Sequence, residues 1–192
     1  TYEISKWQCW ARVTSMYDTE HSSVEIETNR GLELSTEVKA KRDYIAQRLK
    51  IQAGTTIEEI IRASRNYDVI VVDYIQRMNE SSSDTEKSSI GRNIRQLGNL
   101  ARDKDKIVIV LSSIPRAAYG KDDLTIFKEC GDIEFCSQSC MKLKDINHGG
   151  EKRVLGLIML KNTRGQAYGE LWIEGNMLRN IFKESGPTGM ED

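Results

Sequence analysis

The chain has 192 residues, 39% hydrophobic and 30% charged, which is enough for one domain with a sizeable core and too short for two comfortable ones. Its formal net charge of −1 excludes a whole-surface basic field for nucleic acid, so any DNA contact must come from local loops. No apolar run approaches the roughly 18 residues of a membrane span, and no signal peptide opens the chain.

Taken in order, the first element is a helix opened by the capping box Ser5-x-x-Gln8 and carrying Trp7, Trp10, Ala11 and Thr14. A second helix is expected over Thr36–Gln47, then a weak strand at Leu49–Ile51. Thr56-x-x-Glu59 opens a short helix with Ile57, Ile60 and Ile61. Val69–Val72 and Ile107–Leu111 are continuous β-branched runs, the pattern of parallel strands buried on both faces under helices. Between them Asn79–Thr85 is polar and turn-like. Ser83-x-x-Glu86 predicts a helix with Ile90, Ile94, Leu97 and Ala101 along one face.

After Cys140 the texture changes. Met141–Leu143, Val154–Leu160 and Glu170–Ile173 are strands with no helices between them, so they read as antiparallel pairs finishing the sheet. The end, Glu184–Asp192, is Gly-rich and acidic and is expected to be a mobile tail on a domain of residues 1–183. Of the four cysteines, Cys130, Cys136 and Cys140 cluster near His148. The spacing lacks a CxxC knuckle, so they read as reduced thiols and zinc is not expected.

The stretch Asp68–Met78, DVIVVDYIQRM, is the most informative. An aspartate ending a buried parallel strand sits where ligands bind in open α/β sheets. That pattern alone also describes many turn aspartates. The following residues narrow it, because VIVVDYIQRM resembles the Walker B segment of DnaB-type helicases. The resemblance continues in order. Tyr2-Glu3-Ile4-Ser5-Lys6 is similar to the family's Leu-Glu-Met-Ser-Lys, and the LSSIPR of residues 111–116 to its LSQLSR. Lys128–Glu134 is similar to LRESGSIE, and Leu160–Gly165 to the KNRNG segment. Residues 21–41 match least.

The resemblance implies an α/β, RecA-like P-loop NTPase core, mostly parallel with flanking helices and antiparallel strands at the carboxyl side. It implies an ATP-dependent replicative DNA helicase working as a hexameric ring on single-stranded DNA, with ATP and Mg²⁺ as cofactors and a primase or loader among its partners. A cytoplasmic setting follows, in a bacterial cytosol or a phage-infected cell. Role by role, Glu3 is the base that orients the attacking water; without the family match it reads as a surface carboxylate near a chain end. Asp73 is the Mg²⁺-linked aspartate and Ser113 stands at the γ-phosphate-sensing position. Lys128, Glu129 and Gly131 fall on the loop that touches the DNA backbone, with Arg116 and Lys121 as further DNA contacts. Lys161 matches the lysine that reaches the neighbouring subunit's site, with Arg164 beside it. Lys142, Lys144, Lys152 and Arg153 read as loop-borne basic groups that either line a DNA channel or are simply solvated.

Three departures stand out. No G-x-x-x-x-G-K-[ST] occurs in these residues, so the chain by itself is expected to be inactive. It opens on Thr1 rather than Met, so it is expected to be a piece of a longer protein with an incomplete ATP site. The sensing glutamine is Ser113, and the arginine-finger position is Thr163, with Arg164 one step later. A shift of one residue on a strand turns a side chain to the opposite face, although a loop there would restore it. The competing readings are a non-catalytic RecA-fold scaffold or single-stranded-DNA-binding module, and a RecA-like recombinase domain.

Overall fold

A computed structural model of the chain describes residues 5–78, 85–127, 131–147, 152–166 and 169–186, the side chain of Glu86 excepted. They fall into two compact units, one of residues 52–140 and 160–166, the other of residues 5–51, 141–159 and 169–186.

The second unit opens with three short helices, each started by a hydroxyl side chain. In α1 (Lys6–Ser15) the capping box is complete, with Gln8 N donating to Ser5 Oγ and Ser5 N to Gln8 Oε1. The face it buries carries Ala11, Thr14 and Ser15. Helix α2 (Ser23–Thr28) has a capping box, Ser22 with Glu25, that the sequence reading missed. Helix α3 (Thr36–Ala46) is capped by Ser35. The strand expected at Leu49–Ile51 does not form. Leu49 N instead donates to Ile45 O, closing the end of α3, so this backbone is spent on a helix terminus rather than a ladder.

In the first unit, α4 (Ile57–Ala63) starts at the predicted Thr56–Glu59 box. Strand β1 (Val69–Val72), helix α5 (Glu86–Asp103) and strand β2 (Ile107–Val110) follow. Helix α5 is capped by Thr85, whose hydroxyl accepts from Ser88 N. That replaces the expected cap at Ser83, which lies outside the described residues. β1 and β2 pair in parallel, Val69 opposite Ile107 through Val72 opposite Val110. A right-handed β-α-β crossover through α5 is the standard way to join such strands.

The core of this unit gathers Ile57, Val72, Ile75, Met78, Ile90, Ile94 and Leu97, with Ile70, Val108 and Val110 packed against it. The α5 face named from periodicity is therefore the buried one, although Leu100 is more buried than the expected Ala101. The expectation of burial on both strand faces is corrected. Val69 is 50% exposed, Val71 57%, Ile107 60% and Ile109 49%, because the core covers only the face of Ile70, Val72, Val108 and Val110. The parallel component is this pair alone among the described residues.

A short helix, α6 (Gly131–Cys136), precedes a four-stranded sheet in the order β3 (Ser139–Asp145), β4 (Lys152–Asn162), β5 (Glu170–Asn176), β6 (Ile181–Ser185). β4–β5 is antiparallel, as expected, and β5–β6 is antiparallel too. β6 was not anticipated. The expected tail boundary at Glu184 falls inside it, with Glu184 paired to Ile173 and Ser185 to Trp172; residues 187–192 lie outside the described residues.

The β5–β6 turn meets the end of α1 through polar groups. Arg179 Nη1 donates to Asp18 O at 3.1 Å, Asn180 Nδ2 to Ser15 Oγ at 3.2 Å, and Ser23 N to Leu178 O at 2.9 Å. Asp18 is buried, and its carboxylate accepts from Glu20 N, His21 N and the His21 ring. Burial raises its pKa, but these hydrogen bonds outweigh it and hold the carboxyl below its ordinary 3.8. No described helix is long and apolar enough to cross a membrane.

Candidate functional site

Asp73, Ser113, Arg116, Lys121, Gly131, Lys161 and Arg164 all lie in the first unit. β1 delivers Asp73 at its carboxyl end, half-buried, with a cis peptide to Tyr74. The ladder continues one step past the strands, with Leu111 N donating to Val72 O (2.9 Å) and Ile75 N to Leu111 O (3.0 Å). Ile75, 1% exposed, pins the turn that follows. Asp73 and the Ser112–Ser113 segment are therefore held at the same end of the parallel pair, the end where open α/β sheets bind ligands.

Gln76 locks that arrangement and is the residue sequence reasoning left without a role. Its amide Nε2 donates to Ser112 Oγ (2.8 Å) and Ser113 O (3.3 Å), while its Oε1 accepts from Ser113 N (3.2 Å). A carboxamide presents a donor and an acceptor side by side, so it can donate to and accept from one backbone residue at once. Its position three residues after Asp73 was visible, but its partners depend on the β1–β2 register. Beside it lies a cleft of about 240 Å³ lined by Gln76, Lys87, Ser112, Ser113, Phe127 and Ile133. Lys87, in the first turn of α5, is a second group that no sequence motif marked.

Arg116 is exposed at the start of a 3-10 turn, Arg116–Ala118, anchored by buried Ala118. Lys121 is exposed just beyond it. Gly131 is exposed and begins α6. Lys161 is half-buried near the end of β4 and donates to Glu134 O (2.6 Å) and Ser137 O (2.8 Å) of its own chain. Strand β4 ends at Asn162, whose side chain accepts from Arg164 N (3.2 Å). Thr163 and Arg164 thus sit in a turn, and strand alternation does not dictate where Arg164 faces; it is exposed. Glu3, Lys128 and Glu129 lie outside the described residues.

Two expectations about other groups change. Lys142, Lys144, Lys152 and Arg153 are on strands β3 and β4, not on loops. Lys142 is buried, while Lys152 pairs with Glu174 (3.8 Å) and Arg153 with Asp145 (3.5 Å). Cys136 is half-buried and Cys140 buried, both free thiols; Cys130 and His148 lie outside the described residues.

The donor set fits one side of a Mg²⁺–nucleotide site. Asp73 supplies a single hard oxygen ligand group, and Ser112 and Ser113 add hydroxyls. Among the described residues no cluster of His, Cys, Asp and Glu could hold a metal ion by protein groups alone. Mg²⁺ usually keeps waters and leans on substrate phosphates, so one carboxylate suits it. The phosphate cradle itself is not among these residues.

Comparison with known proteins places the chain in a family and a fold. The model of the DnaB-like helicase C-terminal domain matches residues 6–167. Among solved structures, one described as an ATPase domain superposes with a TM-score of 0.77 at 17% identity, covering 96% of this chain and 72% of that one. A DnaB-like replicative helicase, described with its interactions with primase, gives a TM-score of 0.74 at 18% identity over 94% of this chain. This chain spans 49% of that one. No curated protein matches. At such identities the structural likeness establishes the fold, which is RecA-like.

Proposed function

The chain belongs to the DnaB-like helicase C-terminal domain family, and from that premise we propose that it is the motor portion of an ATP-dependent replicative helicase. In this reading the longer protein moves on single-stranded DNA as a hexameric ring and separates duplex in the cytoplasm, with a primase or loader as partner. The observation that carries it is the Gln76 bridge, which fixes Asp73 and Ser113 on one strand-end platform.

Each residue then has a physical task. Asp73 would hold Mg²⁺ with its carboxylate, and the ion would supply positive charge to the nucleotide phosphates. The hydroxyl of Ser113, whose backbone Gln76 holds, takes the γ-phosphate-sensing place with a shorter reach than glutamine. Glu3 orients the attacking water as general base. Arg164, freed by the turn after β4, supplies positive charge to a neighbouring subunit's site, and Lys161 joins it. Lys128, Glu129 and Gly131 meet the DNA backbone, with Arg116 and Lys121 adding phosphate contacts. ATP bound in the longer protein supplies the driving reaction.

A non-catalytic scaffold is the second reading, favoured by Ser113 and Thr163 standing where the family resemblance expects glutamine and arginine. Phosphate release by the longer protein, with and without single-stranded DNA, separates the two. The motor reading expects DNA-stimulated turnover that Gln76→Ala lowers while fluorescent-nucleotide binding is retained. Nucleotide binding without any turnover in the parent protein would favour the scaffold.

A further inference from the structure

We propose that Lys161 is a positioning residue that latches α6 from within its own chain, and that this hold and a reach into a neighbouring subunit are alternative states of one side chain. The second state rests on the motor reading above; the first does not. Lys161 Nζ donates to Glu134 O at 2.6 Å and to Ser137 O at 2.8 Å. These are short, charge-assisted bonds, and they use two of the three donors of an ammonium group.

The acceptors explain why the hold matters. The last carbonyls of a helix have no partner inside it, and a cation there is favoured by the helix dipole. Helix α6 has only six residues, far fewer than an isolated helix needs for stability. What grips its ends therefore sets its order. At the first turn, Arg95 on α5 donates to Asp132 Oδ2 at 2.8 Å. Asp132 also lies where a Cβ at Gly91 would stand, so the glycine admits the carboxylate. At the last turn the Ser137 hydroxyl donates locally to Ile133 O (2.6 Å) and Glu134 O (3.3 Å), and the grip from elsewhere in the chain is Lys161, steadied by the neighbouring Leu160, which is 1% exposed. Thr163 N donates to Gln138 O at 3.0 Å, joining the turn that carries Arg164 to the segment after α6.

The same helix borders the platform, because Ile133 lines the cleft with Gln76 and Ser113. It begins at Gly131, the last residue of the candidate DNA loop. An anionic phosphate oxygen competes with neutral carbonyls for an ammonium, because it adds the attraction of opposite charges. A phosphate presented by a neighbour would draw Lys161 away and withdraw its two bonds from the end of α6, leaving the Ser137 hydroxyl on Ile133 O and Glu134 O. Occupancy next door would thus be felt at the helix that follows the DNA loop. The shift is set by the difference in affinity between the two states.

Hydrogen exchange read by mass spectrometry tests both halves. In the 192-residue chain, Lys161→Met, which removes two charge-assisted hydrogen bonds, should speed exchange of peptides from 131–138 by about tenfold or more. Peptides from α5 should be unchanged, and Lys161→Arg should restore most of the protection because a guanidinium also donates to two carbonyls. Unchanged exchange in the Met variant, or equal acceleration in both variants, overturns the latch. In the assembled longer protein, a nonhydrolysable ATP analogue should speed exchange of the same peptides. Binding of the analogue with those peptides still protected overturns the alternation. If the assembly binds no analogue at all, the motor reading fails, and the Met and Arg comparison in the shorter chain still decides the latch.

Discussion

The unit that carries Asp73, Ser113 and Lys161 is built on an aliphatic core and leaves one sheet face open, whereas the unit of α1–α3 closes itself with polar side chains. In the first, Ile57, Ile75, Ile94 and Leu97 pack under β1 and β2 while Val69, Val71, Ile107 and Ile109 face outward. In the second, Ser15, Asp18, Arg179 and Asn180 join the end of α1 to the β5–β6 turn. A buried polar network is directional and specifies one arrangement. An apolar sheet face specifies only that something must cover it. The candidate site thus sits in the unit whose sequence encodes more burial than its described residues achieve.

The largest expected effect separates the units. Leu97→Ala removes a side chain 1% exposed and should cost about 3 kcal/mol. All three tryptophans, Trp7, Trp10 and Trp172, belong to the other unit, so tryptophan fluorescence reports on that one. Denaturant unfolding should show the far-ultraviolet circular dichroism transition moving to lower denaturant while most of the fluorescence transition stays. If both probes shift together, the two units unfold as one and the contrast drawn between them is wrong.

Acid probes the polar unit. Asp18 is held below its ordinary 3.8 in the folded state, so its contribution is present above the unfolded value and is lost as pH falls through the folded value. Fluorescence-monitored stability should therefore decline below about pH 4, and Asp18→Asn should flatten that decline while lowering stability near neutrality. An unaltered acid profile in the variant would remove Asp18 from the network.

The smallest effect concerns the open face. Val71→Thr with Ile109→Thr should leave the stability of the shorter chain within about 0.5 kcal/mol, as for other exposed sites, and reduce its self-association in sedimentation. In a longer protein that covers this face, the same pair should destabilise by about 1–3 kcal/mol. A large loss in the shorter chain would mean the face is already covered there.

How much could be read beforehand follows the same division. Local rules reached far: the Ser5 and Thr56 boxes, the Ile90–Ile94–Leu97 face and β4 are properties of a few adjacent residues. The two apolar runs marked β1 and β2 but not which face would be open, since that depends on what lies across the sheet. The Thr85 cap was mistaken for Ser83 because two overlapping hydroxyl patterns compete and only the backbone decides. Asp73, Ser113 and Lys161 were visible through family resemblance. Gln76 and the in-chain partners of Lys161 were not, because each reaches residues 24 to 37 positions away along the chain.

In the motor reading proposed above, Asp73, at the end of β1, is the metal-linked carboxylate. Steady-state phosphate release with Mg²⁺ and single-stranded DNA, measured for the longer protein and for its Asp73→Ala variant, tests this directly. The account predicts DNA-stimulated release that falls roughly a hundredfold or more in the variant, the scale of losing a key electrostatic group, and no appreciable release from the shorter chain. Equal turnover by parent and variant, or robust turnover by the shorter chain, would contradict it.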